Sequence, residues 1–243
     1  MKSYPLRDTG FSVDLVPVAP NVFGFKLTHP DNSFLFPEAS EWIANLKRAI
    51  LENGDKELHL RLDKHRFKDL LAELPVLGFQ LKHERTEFHS PVADLPDDQG
   101  TPISWKPMES LEEAAKALHA VAIGDPDYDP NEDALEGIKY YFGDANFKAS
   151  SLQLGFIDNK LAALVIVQVK PDGWSRITYM GVHPDFRKRG LGKWVHRKGF
   201  SLMKEMGGKN YFGGTVSTNQ SMLKVFRESG CRELRVLQEW IRK

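Results

Sequence analysis

Residues 182–194 read VHPDFRKRGLGKW. Two glycines flank a leucine, and Arg187, Lys188, Arg189 and Lys193 crowd around them. Upstream, WSRITYMGV (174–182) reads as a strand, and downstream residues 190–206 follow helical spacing. The loop therefore joins a strand to a helix N-terminus. Amides there have no intrahelical acceptor, and the helix dipole adds partial positive charge, which suits an anion and above all a phosphate. Glycine lets main chain approach such a ligand closely. Taken alone, the loop fits both a phosphate cradle and a solvated turn that uses glycine for conformation. It is not a Walker loop, which would need glycine at 187 and Ser or Thr at 194, where Arg187 and Trp194 stand. Nor does it carry the third glycine of a dinucleotide fingerprint.

The elements around the loop define a domain. SPVADLPDDQGTP (90–102) is rich in Pro, Asp and Gly and predicts a linker, placed at residues 93–102. After it, ISWKPM (103–108) reads as a strand. Ser110 and Glu113 form a capping box for a helix with Leu111, Ala114, Ala115, Leu118 and Val121 on one face. GDPDYDP (124–130) interrupts it, and a second helix runs from 131 to 144. SLQLGFID, KLAALVIVQVK and WSRITYMGV then predict three strands joined by turns at 158–159 and 171–173. Beyond the 190–206 helix come a strand at 211–217, a helix at 219–229 ended by Gly230, and a last strand at 231–241. Residues 103–243 thus predict an α+β domain with one mixed, mostly antiparallel sheet flanked by helices.

Composition narrows the class. Lys+Arg and Asp+Glu balance at 33 each, so bulk charge calls for no polyanionic partner. A single cysteine, Cys231, excludes an intramolecular disulfide and a cysteine-rich metal site, and fits a reducing compartment. No stretch has the apolar length of a membrane span, and the first residues lack a signal-peptide core. The expectation is a cytoplasmic protein with no metal, membrane or nucleic-acid partner.

The first hundred residues carry traces of an internal repeat. Trp42 and Trp194, Leu71 and Leu223, Gly78 and Gly230, and Glu87 and Glu239 lie 152 residues apart, and apolar positions between them coincide. HPD occurs at 29–31 and again at 183–185, slightly out of register. Directly after the first HPD, the stretch NSFLFPEAS has neither glycine nor arginine, so that copy cannot repeat the loop's function. Thin identity leaves chance as the alternative to duplication.

Arg187-Lys-Arg-Gly190-Leu-Gly192, preceded by Val182-His-Pro184, resembles the Gln/Arg-x-x-Gly-x-Gly/Ala motif of the GNAT N-acetyltransferases. Asn219 through Gly230-Cys231 resembles that family's second motif, Asn-x-x-Ala-x-x-x-Tyr-x-x-x-Gly-Phe. The element order from 103 to 243 also matches its fold. The resemblance implies a complete GNAT domain at 103–243 and a degenerate, partial GNAT-like copy at 1–92. It implies transfer of an acetyl group from acetyl-CoA, as co-substrate, to a small-molecule or peptide amine. The main-chain amides of Lys188, Arg189, Gly190, Leu191, Gly192 and Lys193 would hold the pyrophosphate. Arg187 and the neighbouring cations would reach the phosphates. Met180, Gly181 and Val182 would pair with the pantetheine arm, Asn219 would hydrogen-bond it, and Phe226 would line it.

The family's usual acid–base positions are vacant of suitable groups. Arg176 and Thr178 stand on the fourth strand, Gly214 on the fifth, and Phe226 where a tyrosine is usual. Tyr179 and Tyr211 are the alternative catalytic candidates, beside catalysis by positioning alone. Gly213 and Gly214 either leave room for substrate or mark a tight contact or bulge. Asp125 and Asp127 are candidates for binding a cationic amine, with turn and capping roles as the plain alternative. His183 and His29 read as turn residues, and Cys231, Trp42 and Trp194 as core. Two other classes compete with an enzyme: a non-catalytic acyl-CoA-binding module, and a nucleic-acid binder using residues 187–198 as a basic patch. The N-terminal unit is expected to pack as an internal pseudo-dimer partner, and a monomer or a homodimer both fit.

Overall fold

The computed structural model describes residues 2–5, 12–19, 22–28, 39–53, 57–125, 133–143 and 149–243. In chain order the elements are β1 (Lys2–Pro5), β2 (Ser12–Ala19), β3 (Val22–Thr28), α1 (Ala39–Glu52), β4 (Glu57–Asp63), α2 (Lys68–Glu73) and β5 (Gln80–Pro91). They continue with β6 (Ser104–Pro107), α3 (Leu111–Ala122), α4 (Ala134–Gly143), β7 (Ala149–Ile157), β8 (Lys160–Val169) and β9 (Trp174–Val182). The last are α5 (Gly192–Glu205), β10 (Asn210–Val216), α6 (Gln220–Glu228) and β11 (Arg232–Arg242). None of the described helices is long and apolar enough to cross a membrane.

The chain divides into two compact units, residues 1–85 with 235–243, and residues 86–234. These bounds differ from the expected 1–92 and 103–243: the divisions fall inside β5 and inside β11. In the first unit β4 pairs with β3 in parallel and with residues 237–242 of β11 in antiparallel register. Leu58, Leu60 and Leu62 of β4 alternate inward against Leu46 and Ala49 of α1, Leu70 and Leu71 of α2, and Trp240 of β11.

The second unit is a sheet in the order β5-β10-β9-β8-β7-β6. β8 is buried along most of its length and decides how the layers form. Ala163, Val165, Val167 and Val169 face α5 and α6, whose Val195, Phe200, Leu223 and Phe226 complete that core. Leu164 and Ile166 face α3 and α4, against Leu118, Val121 and Ile138. A strand apolar on both faces needs helices on both, and each such side chain contributes roughly 1.5–3 kcal/mol on full burial.

Local signals act where the sequence places them. Asp158 and Asn159 both take positive φ (49° and 59°), as a two-residue hairpin between β7 and β8 requires. Ser110 Oγ accepts the Glu113 amide at 3.1 Å, and Glu113 reaches back to the Glu109 amide at 2.8 Å. The stretch expected to be a linker is instead packed in this unit. Val92 and Leu95 are core residues, Lys204 of α5 donates to the Leu95 carbonyl at 2.8 Å, and Ser201 donates to Asp98 at 2.9 Å. Two buried apolar side chains fix a segment that its Pro- and Asp-rich composition would leave free.

Candidate functional site

The decisive geometry lies between β9 and β10. They run parallel but form only two pairs, Trp174 with Asn210 and Ser175 with Tyr211. Beyond them the strands part. β9 also carries a bulge: its register against β8 shifts between Ile177 and Tyr179, leaving Thr178 as the extra residue. His183 donates to the Ala162 carbonyl of β8 at 2.8 Å. Backbone polarity alternates along a strand, so Gly181 also addresses β8, whereas Met180 and Val182 present their groups to the open edge. Gly181 is therefore not one of the pairing amides. Its lack of a side chain serves packing: a Cβ would lie 2.6 Å from Val121 of α3 and 2.7 Å from the Tyr179 hydroxyl.

The loop at the end of β9 begins with a short 3-10 turn, Pro184–Phe186, on which His183 caps the Asp185 amide at 3.3 Å. Lys188 then takes φ 61° and Gly190 φ 72°. A Cβ at Gly190 would meet nothing within 4 Å, so the backbone conformation, not crowding, calls for glycine. Gly192 opens α5, and its missing Cβ admits Val225 of α6 at 3.1 Å. Among the described residues, the amides of Lys188 through Lys193 meet no hydrogen-bond acceptor. Six successive amide donors at a helix N-terminus form an anion-binding concavity.

The cations around this concavity divide. Arg187 does not reach toward it. Its Nε donates to the Val182 carbonyl and its Nη2 to the Val121 carbonyl, both at 2.9 Å, bracing β9 against the C-terminal end of α3. Arg189 folds back on the Asp185 carbonyl (2.8 Å) and the Phe186 ring. Lys188 and Lys193 remain exposed, Lys193 over Trp194. Asn219 caps α6 through its carbonyl oxygen, which accepts the Met222 amide at 3.1 Å.

Residues 108–231 match the acetyltransferase (GNAT) family. The chain belongs to this family. Solved structures align with nearly the whole chain. A GCN5-related N-acetyltransferase from Kribbella flavida is 14% identical, with TM-score 0.64, over 99% of this chain and 89% of that one. A GCN5-related N-acetyltransferase from Sphaerobacter thermophilus is 13% identical, with TM-score 0.70, over 96% and 76%. A tandem GNAT protein from the clavulanic acid biosynthesis pathway is 13% identical, with TM-score 0.63, over 95% and 78%. No curated protein matches the sequence at a significant level.

Against this GNAT frame the expected catalytic residues separate. Tyr179 lies on β9, with its hydroxyl 3.4 Å from Asp125, one of the two acids expected to bind the amine. The structure thus brings together two candidates that the sequence separates by 54 positions. Asp127 lies outside the described residues. Tyr211 is a correction: it is 1% exposed, held by His196 at 3.0 Å, in the core against Phe200. Phe226 is another. It stacks on Phe88 at 4.3 Å, inside the core. Gly213 marks a tight contact, since a Cβ there would run into the Tyr211 hydroxyl and the Phe226 ring. Gly214, next along β10, points to the opposite face.

Sequence reading missed two polar hubs. Gln168, fully buried on β8, accepts from Arg176 Nε (2.9 Å) and Nη2 (2.7 Å) and from Thr178 (2.8 Å), which orients the cation at the bulge. His196, also fully buried, joins Tyr211 to Ser229 through both ring nitrogens, each at 3.0 Å. Burial pushes its pKa down to about 3, so it stays neutral. A glutamine inside an apolar strand and a histidine on a helix's apolar face were the only signals in the sequence.

Proposed function

We propose that the protein is an N-acetyltransferase, moving an acetyl group from acetyl-CoA to a primary amine on a small molecule or peptide. The observation that carries this reading is the row of amides at Lys188–Lys193 without acceptors, beside the open edge of β9. These donors fit a pyrophosphate, and the edge groups of Met180 with the Val182 amide fit the amide-bearing arm of CoA; the Val182 carbonyl already accepts from Arg187. Bound there, acetyl-CoA would supply an activated acyl carbon. Lys188 and Lys193 would add charge, and Asn219 would lie at the cap of the neighbouring helix. Arg187 would act by fixing the end of β9, and Asp125 with Tyr179 would meet the amine. Among the described residues, the order β-β-β-α-β-α-β occurs before residue 92 and again after residue 148, which supports a partial GNAT-like repeat in the N-terminal segment.

The test is calorimetric titration of acetyl-CoA into the protein and into a Gly190→Asp variant. A Cβ at this position meets nothing within 4 Å, and aspartate tolerates the left-handed backbone of Gly190 better than most side chains while setting a negative charge in the concavity. Charged hydrogen bonds contribute about 1.5–3 kcal/mol each, so losing even one to repulsion weakens binding by at least about tenfold. Equal affinity in a folded variant, or no binding by the wild type, would refute the cradle. Binding without CoA release on any amine would favour the non-catalytic acyl-CoA-binding alternative.

A further inference from the structure

We propose that the amine acceptor also carries a carboxylate, as an amino acid does, and that Arg176 of β9 binds it; this deepens the acyl-transfer function proposed for the site and rests on it. Gln168 continues the face of β8 that Leu164 and Ile166 turn toward α3 and α4. Arg176 lies opposite Gln168, and Tyr179 lies opposite Ile166. Residues three apart on a regular strand point to opposite faces. The bulge at Thr178 absorbs one residue, so Arg176 and Tyr179 come out on the same face, roughly 7 Å apart at Cα. Arg176 is also the first residue past the last pair between β9 and β10, where the two strands part, and it is partly exposed.

The head of Arg176 is fixed on the Tyr179 side. One oxygen of Gln168 accepts from Arg176 Nε at 2.9 Å and Nη2 at 2.7 Å, and from the Thr178 hydroxyl at 2.8 Å. Donors that share one oxygen are adjacent, so the guanidinium sits beside Thr178, two positions before Met180 on the open edge. Gln168 is fully buried and carries no charge, so it fixes the direction of the guanidinium and leaves its charge in place. Next along this face stands Tyr179, whose hydroxyl lies 3.4 Å from Asp125. The row from Asp125 through Tyr179 and Thr178 to Arg176 thus has opposite charges at its two ends.

That pattern is complementary to a zwitterion. The acceptor's ammonium group lies against Asp125, and its carboxylate accepts from the Nη1–Nη2 end of Arg176, since the Nε–Nη2 side addresses Gln168. A planar guanidinium matches a carboxylate in shape as well as charge. A diamine would bring a second positive charge to Arg176, and an amino acid carboxamide a neutral group. Arg176 is therefore a specificity-determining residue, and Gln168 positions it.

The test measures CoA thiol release with glycine, β-alanine, leucine and phenylalanine, each beside its carboxamide, and with butane-1,4-diamine and glucosamine. Wild type, Arg176→Gln and Arg176→Lys are compared, with acetyl-CoA affinity measured in each. The wild type is expected to favour at least one acid over its carboxamide by about tenfold or more in kcat/KM. Arg176→Gln should bring that ratio down at least about tenfold, chiefly through KM for the acid, with acetyl-CoA affinity kept. Arg176→Lys keeps the charge and loses the fork; it should show a smaller fall in the ratio, and it reads the same position if the glutamine variant fails to fold. A merely structural role would lower both rates together, and an unchanged ratio in either folded variant overturns the proposal. So does a wild type that uses the carboxamides, the diamine or glucosamine as well as the acids, which leaves acyl transfer standing. A wild type that binds acetyl-CoA but releases no CoA with any of these acceptors defeats the acyl-transfer reading, and this role with it.

Discussion

Two histidines occupy opposite faces of the second unit's sheet, and their surroundings differ in kind. His196 is fully buried between α5, α6 and β10, with Ser229 and Tyr211 on its two nitrogens and Phe200 and Phe226 around the ring. His89 is partly exposed on the face away from α5 and α6, and its Nε2 meets no partner among the described residues. A polar group satisfied on every side holds a core together. One left unsatisfied is suited to a ligand or a water. The contrast extends along β10, where Tyr211 and Gly213 serve the α5–α6 face and Gly214 lies on the opposite one.

The largest expected effect breaks the packed face. His196→Ala removes a buried ring and the hydrogen bonds it makes with Tyr211 and Ser229. A cavity and two lost hydrogen bonds cost roughly 3–5 kcal/mol in urea unfolding. His89→Ala should cost less than about 1 kcal/mol, and equal losses would erase the distinction. The buried histidine, His196, also sets a pH dependence. Its folded pKa of about 3 lies below the ordinary value of 6.5, so between these values the unfolded chain binds the extra proton. The stabilisation is complete above pH 6.5 and falls as pH drops toward 3, by up to about 1.4 kcal/mol per unit. A His196→Phe variant should show a shallower decline between about pH 7 and 4.5.

A smaller effect tests Gly181. If this glycine leaves room for ligand, Gly181→Ala weakens acetyl-CoA binding and spares stability. The geometry argues the reverse, because the new methyl would meet Val121 and the Tyr179 hydroxyl. The expected cost is about 1–3 kcal/mol of stability, with a shift of β9 away from α3. Thermal unfolding beside calorimetry separates the two outcomes.

The features legible in the sequence are local ones. The Asp158–Asn159 turn, the Ser110 cap and the loop from Arg187 to Lys193 depend on residues a few positions apart, and each takes the form its chemistry dictates. Adjacency in space is not legible in the same way. Nothing in the periodicity of residues 86–91 says that they flank β10, more than a hundred positions later. Tyr211 misleads for a related reason. A tyrosine on a strand beside two glycines suits a site, and only the contact with His196 turns it inward. Arg187 has the charge for a phosphate but commits it to two carbonyls, one of them on a helix 66 residues away.

The smallest effect is an expected silence. Cys231 follows Gly230 and packs in the same core as His196, and burial pushes its thiol pKa up to about 12. Only thiolate is nucleophilic, so at about pH 8 the native thiol is starved of its reactive form as well as shielded. Raising a thiol's pKa stabilises the fold only below the unfolded value, and that contribution is lost as pH climbs from about 9 toward 12. Iodoacetamide at about pH 8 should therefore modify Cys231 no faster than the chain opens, with a rate that rises in urea alongside unfolding. Rapid labelling of the folded protein would mean that this face admits small molecules. The division between the closed core around His196 and the partly exposed surroundings of His89 would then have to be drawn elsewhere.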